Sequence, residues 1–398
     1  GQCIEGAAVG ICGRDEQPDP PGDEGQHRVK EELMTKQNQT ITVNRLPAKT
    51  WNWLKMNERK LKDIETGDNC EVEKIIGASE NITGSSVEAA EKKADFSDIL
   101  TGMGRDMDLL GEKSGSVPIV IESSRAEAVS KPVRLHFSCK DGKKSFQKVE
   151  ISAKEGEEVN VFMDYTSPEK TAAGLAAIQT KLHIEKGGKV RLVQVQLLGN
   201  GYTLLNDIGA ECEEGARFEI LQLFLGGEKT YSGCLADLKG RESCFKADIG
   251  YQGKGSQRYD MNYVAVHKGK KTVSEMNADG ILDDQAFKLF RGTIDFKNGS
   301  SGSKGDEAEN VLLMGENVVN QTIPLILCAE EDVEGNHGAS IGQLDEEMLF
   351  YLSSRGMSAE SASKMIARAK IDAVCQKIGD EEMEKAVQNY LEEENDEL

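Results

Sequence analysis

His337 is the residue whose surroundings point most directly to chemistry in this 398-residue chain. It stands between Asn336 and Gly338, neighbours small enough to leave an imidazole reachable, and it follows the acidic cluster Glu330, Glu331, Asp332 and Glu334. An imidazole in that setting can donate a nitrogen to a metal ion or carry a proton. One histidine does not complete a metal site, so any remaining ligands must come from elsewhere. Cys328 ends the apolar run that leads toward His337 and offers a second, softer donor. His136, His183 and His267 lie in alternating, strand-like segments, where an imidazole more commonly serves as a cross-strand partner, and His27 lies in a polar lead.

The nine cysteines are scattered without a CxxC pair and do not form the pattern of a disulfide framework. Cys139, Cys212, Cys234 and Cys244 read as small buried hydrophobes, and Cys3 and Cys12 match no zinc spacing. Catalytic signatures are missing: there is no GxxxxGK[ST] phosphate loop, no GxSxG elbow and no HExxH, and Gly102-Met103-Gly104 lacks the third glycine of a dinucleotide site. Asp279, Asp283 and Asp284 can be read as general acids of a carbohydrate-acting β-helix enzyme, although acids in such positions more often occupy turns. Aromatic residues make up only 5% of the chain, which is poor material for a sugar-binding groove.

Charge narrows the partners further. A net charge of -21 opposes binding to nucleic acid or an anionic membrane surface, because like charges repel. The longest apolar runs, such as Val117 to Ile121, fall far short of the roughly 20 residues that span a bilayer. No basic region precedes an apolar segment at the start, so the expected location is cytoplasmic.

The elements that must hold His337 in place follow from periodicity. Residues 1–40 mix glycine, proline and charge and read as a disordered lead. Residues 41–115 form an expected N-terminal helical region, with Trp51 and Trp53 as packing anchors, a helical stretch ending near Lys62, and an amphipathic helix carrying Phe96, Ile99, Leu100 and Met103. From 116 to 330 short apolar segments return between glycine-containing turns, from Val117–Ile121 through Val190–Leu198 and Phe287–Phe296 to Val311–Met314. Many alternate with period 2, as Val193, Val195 and Leu197 do against Gln194 and Gln196, which gives a long series of strands. That spacing fits either a sandwich or a β-solenoid. Residues 331–398 then read as a loop carrying His337 and a C-terminal helical domain. Its first helix opens with Asp345, Glu346 and Glu347, acids suited to the helix dipole, and closes at Gly356. A second helix starts at the N-cap Ser358, with an apolar stripe of Ala362, Met365, Ile366, Ala369 and Ala373, and a third carries Met383, Val387 and Leu391.

The segment His337-Gly338-Ala339-Ser340-Ile341-Gly342, followed by Asp345 to Gly356, resembles the signature of the SufB/SufD family of iron–sulfur cluster assembly proteins, its SufD branch most closely. Asn44-Arg45-Leu46-Pro47, Thr50 to Lys55, Phe290-Arg291-Gly292 and Asn310 to Met314 extend the resemblance along the chain. Gly335 stands where SufD-like sequences often carry a cysteine. The resemblance implies a mainly β fold, a right-handed parallel β-helix flanked by N-terminal and C-terminal α-helical regions. It implies a non-catalytic scaffold in a SufBCD-type complex, paired with a SufB-like paralogue or with itself and binding a SufC-like ABC ATPase that carries the nucleotide. A nascent iron–sulfur cluster would be held transiently with the partner, His337 or Cys328 supplying a ligand. A subunit that recruits the ATPase without ligating the cluster is the alternative. Leu349, Phe350, Tyr351 and Arg355 are the expected partner-binding residues.

Overall fold

The computed structural model describes residues 40–49, 54–67, 71–76, 82–84, 95–123, 132–344 and 346–396. Its body is a parallel β-solenoid. The chain alternates between two sheets, and each strand pairs in parallel with the equivalent strands one coil earlier and one coil later. At the N-terminal end each sheet is closed by one antiparallel strand, Glu71–Ile76 and Ile82–Gly84. The mainly β, parallel β-helix expectation is therefore met, and the sandwich alternative is excluded by the parallel pairing.

Alternation within a strand decides which side chains point inward, and register stacks them into columns. Val133, Val161, Leu192, Ile220, Ala247 and Met276 form one such column inside the solenoid. The strands are apolar on their outer faces too, because both outer faces are covered. On one sheet the cover is the N-terminal segment, where Ile41, Val43, Met103, Met107 and Leu110 pack on Phe146, Leu175 and Leu205. On the other sheet it is the C-terminal helices.

Several local expectations need correction. The stretch ending near Lys62 is not helical: Arg59–Leu61 is a strand paired with Ile41–Val43, whose β-branched residues favour that state. Phe96, Ile99 and Met103 are buried, but in turns rather than on a helix, and Leu100 is exposed. Gly104 takes a positive φ, and a Cβ at Gly102 would stand 2.0 Å from the Cys234 amide nitrogen, so this segment breaks in order to lie against the sheet. The helix α1 (Arg105–Ser114) begins only after it. Residues 1–39, Trp51 and Trp53 lie outside the described residues.

Three helices follow the solenoid: α2 (Glu346–Ser354), α3 (Ala359–Cys375) and α4 (Glu381–Asp396). Gly356 has φ 92° and caps α2 as anticipated, and the Ser361 amide donates to Ser358 Oγ at the start of α3. The buried stripe of α3 differs from the expected one. It runs through Ala362, Ala367, Ile371 and Val374, while Met365, Ala369 and Ala373 face outward. Larger side chains win the sheet contact: Ile371 and Val374, with Val387 and Leu391 of α4, pack on Val193, Val195, Leu221 and Leu223.

Candidate functional site

At its C-terminal end the solenoid stops with both edges open. Val319–Cys328 is the last strand of one sheet and Val333–Gln343 the last of the other, each paired on one side only. Pro324 lies within the first of these strands, opposite Gly292, a residue tolerated in a sheet edge because it has no N–H to give a ladder. The expected loop around His337 is therefore a strand. Its polarity is the reason for the misreading: Glu334, Asn336 and Ser340 mask the alternation that an outer strand without a covering layer does not need.

Register places His337 opposite Glu307, which stands opposite Met276. The inward column that is apolar for six coils thus ends in a carboxylate and an imidazole. His337 Nδ1 lies 3.7 Å from Glu307 Oε1, with the imidazole 28% exposed at the open end and the glutamate enclosed beneath it. Both Glu307 oxygens lack a hydrogen-bond partner among the described residues. Burial pushes the Glu307 carboxyl up to about 8; the neighbouring Glu309 adds to the rise and Lys288 opposes it. Gly292 on the facing strand makes the room, since a Cβ there would stand 2.3 to 2.5 Å from the Glu307 carboxylate atoms.

Glu309, on the same strand and face, is fully engaged. Lys288 Nζ donates to its Oε1, Thr322 Oγ1 donates to its Oε2 at 2.6 Å, and Tyr251 OH approaches Oε1 at 3.4 Å. Lys288 and Glu309 are both completely buried, and burial lowers the lysine.

Cys328 does not join His337. Gly335 faces Ile326 and Phe296, with 3.2 Å between its hypothetical Cβ and either side chain, so Cys328 lies beyond that contact, toward Val333. Val333 and His337 are separated by four steps of strand, roughly 13 Å. The Cys328 thiol is exposed and donates to the Glu330 carbonyl at 3.0 Å. Among the described residues no three His, Cys, Asp or Glu side chains gather in a way that would hold a metal ion.

The other sequence candidates separate cleanly. His136 pairs with Asp164 across adjacent strands at 2.5 Å, and His183 Nε2 lies 3.4 Å from Glu213. His267 is interior, bonded to Thr272 and Ser274, and burial lowers it to about 4. Cys139, Cys212 and Cys234 are buried and Cys244 partly so; burial raises the Cys212 and Cys234 thiols, which suits inert packing. Asp283 and Asp284 hold a turn through bonds to backbone amides. On α2, Phe350 is 76% and Tyr351 55% exposed, Leu349 is half-buried, and the Arg355 guanidinium lies 5.1 Å above the Tyr351 ring.

Glu307 and Lys288 were not singled out by sequence reasoning, and Gly292 stood out only within the Phe290-Arg291-Gly292 segment of the family resemblance, not as a site residue. The run Ser303-Lys304-Gly305-Asp306-Glu307-Ala308-Glu309-Asn310 offers no large apolar residue to reveal its inward face. Counting back in twos from Val311 is the one signal that places Glu309, Glu307 and Gly305 together.

The molecule is thus a covered parallel β-solenoid whose interior turns polar at one open end. The family model described as the SUF system FeS cluster assembly SufBD core domain matches residues 136–370, and the chain belongs to this family. It is 26% identical over 247 residues to the iron–sulfur cluster assembly protein SufB of Bacillus subtilis, covering 61% of this chain and 53% of that one. An iron–sulfur cluster assembly SufBD family protein of Staphylococcus haemolyticus is 27% identical over 229 residues, 57% of this chain and 49% of the relative. The SufD protein of Bacillus subtilis is 27% identical over 140 residues, 35% of this chain and 32% of its own length. The chain spans about half the length of the first two relatives and a third of the last. Among the described residues no helix is long and apolar enough to cross a membrane.

Proposed function

We propose that this chain is a SufD-like, non-catalytic scaffold subunit of a cytoplasmic SufBCD-type complex that assembles iron–sulfur clusters. The carrying observation is the open end of the solenoid, where two unpaired strand edges surround the only inward column to finish in an imidazole among the described coils. Unpaired edges are templates for another chain's strands. A SufB-like paralogue, or a second copy of this chain, docks there and supplies the ligands that His337 lacks. The nascent cluster is cargo shared across that contact. The SufD-like assignment rests on the His337-Gly338-Ala339-Ser340 motif, and the partners on the kinship to SufB and SufD proteins.

A SufC-like ABC ATPase docks on α2, through Leu349, Phe350, Tyr351 and Arg355, and performs the nucleotide chemistry. The exposed aromatic pair supports this reading, because most of the large apolar residues of α3 and α4 pack on the sheet, Met365 being an exposed exception.

The decisive experiment is co-expression with the paralogue and the ATPase, followed by size-exclusion chromatography and iron analysis after reconstitution. His337→Ala should leave the complex assembled and lower its cluster content. Cys328→Ser should leave the content unchanged; if it empties the complex while His337→Ala does not, the ligand is the cysteine. Full content in both variants makes this chain a structural subunit that does not ligate the cluster.

A further inference from the structure

The interior column that ends at the open edge presents two donors rather than one. Glu307 is a glutamate enclosed in the solenoid with neither oxygen hydrogen-bonded among the described residues, and it is aimed at the inward nitrogen of His337. A buried polar group without a partner is costly, and a native structure that keeps one calls for an explanation such as an ion. Packing does not supply that explanation. Gly292 leaves a space that any larger residue would fill, and the nearest cation, Lys288, is bonded to Glu309 and Thr322 instead. The six equivalent positions in earlier coils carry Val133, Val161, Leu192, Ile220, Ala247 and Met276, so nothing in the coil geometry requires a carboxylate there.

We propose that Glu307 and His337 form a two-donor half-site, one carboxylate oxygen and one imidazole nitrogen, for a divalent transition-metal ion such as ferrous iron. This rests on the reading of His337 as a ligand and extends it to a second residue of the same chain. The spacing suits it. Two donors at about 2.1 Å from one ion stand roughly 3.0 to 3.5 Å apart, so the 3.7 Å between Nδ1 and Oε1 closes with a small rotation of either side chain. Imidazole and carboxylate together favour an iron, manganese or zinc ion over a soft, thiolate-seeking one. Two donors hold an ion weakly. The site therefore fills when a docking partner adds ligands from above the open end, which couples metal loading to assembly.

The test uses cobalt(II) as the probe, on the purified full chain and on the assembled complex, reading bound metal, the visible absorption bands and the thermal midpoint. His337→Ala, Glu307→Met and Glu307→Gln should each weaken cobalt binding at least tenfold. Glu307→Met, an unbranched apolar side chain of similar length, should leave the midpoint unchanged or raise it, because it removes an unpaired buried carboxylate. Those two results together support the half-site. A lowered midpoint in both glutamate variants would make Glu307 structural and overturn the inference. If Glu307→Met and Glu307→Gln keep wild-type affinity while His337→Ala loses it, the half-site is overturned and the ligand role of His337 stands. Failure of the wild-type complex to bind cobalt(II) overturns the half-site as well, and the cluster content of His337→Ala then judges the ligand role separately.

Discussion

The middle coils and the last two coils of this solenoid differ in how their buried polar side chains are partnered. In the middle, Tyr165, Gln194, Asn206, Gln222 and Tyr263 form a neutral chain of hydrogen bonds: Gln194 donates to Tyr165 at 3.0 Å, Asn206 and Gln222 donate to Gln194 at 2.8 and 2.7 Å, and Tyr263 donates to Gln222. Each of these five side chains makes at least one hydrogen bond within the fold, Asn206 Oδ1 being the one oxygen of the chain left without a partner among the described residues. In the next-to-last coil the Lys288–Glu309 pair is closed in the same sense, although it is charged. Glu307, one alternation away, is left open beneath His337. Single buried atoms such as Gln196 Nε2 and Asn262 Oδ1 also go without a partner in the middle coils, but Glu307 is the buried carboxyl group with neither oxygen bonded among the described residues, and it lies one coil beneath the open end.

That contrast can be broken most forcefully at Lys288. Lys288→Met leaves the Glu309 carboxylate buried without its cation and should cost about 3–5 kcal/mol in urea denaturation. Adding Glu309→Met should recover most of the loss, and a single-variant cost below about 1 kcal/mol would mean that the pair is not closed as described. Next in size is a pH effect at Asp207, a middle-coil carboxyl whose oxygens accept from the Met103 amide at 2.8 Å and from Gln179 at 2.9 Å. Burial pushes it up to about 7. Its folded form holds a proton that the unfolded form has released above about pH 4, so stability falls as pH rises between those values. Wild type should therefore lose about 2–4 kcal/mol more than Asp207→Asn between pH 4 and pH 8, and equal slopes would refute this.

Smaller effects sharpen the comparison. Gln194→Leu strips bonds from Tyr165, Asn206 and Gln222 at once and should destabilise by about 1–3 kcal/mol, visible as a lower denaturation midpoint. A neutral result would show that the chain of amides is as dispensable as an apolar core. Tyr351→Ala should change stability by less than about 0.5 kcal/mol, since the ring stands out from α2, while weakening ATPase co-purification. Unchanged co-purification would move the ATPase contact elsewhere.

Much of the architecture was legible in the residues. Alternation such as Val193-Gln194-Val195 marked the strands because the period of 2 survives wherever one face is apolar, and Ser358 and Gly356 marked helix ends because their backbone demands are local. His337 stood out through its polar, small-residue setting. Where neither face of a strand carried large apolar residues the period fell silent: 303–310 goes unmarked within the 116–330 β core, and 334–340 reads as a loop. The helix placed at Phe96–Met103 failed for a tertiary reason, the close approach of Gly102 to the Cys234 backbone.

By itself, then, the sequence determined the strand series, the helical C-terminus and the histidine with its acidic neighbours, all consequences of short-range patterns. Only the tertiary structure decided that Glu307 lies under His337, that Gly292 clears space for it from the facing sheet, and that Cys328 stands apart. The reason is register. Which face a side chain takes follows from its neighbours two residues away, but which residue it meets depends on the length of a whole coil and the turns that close it, and no local pattern encodes that distance.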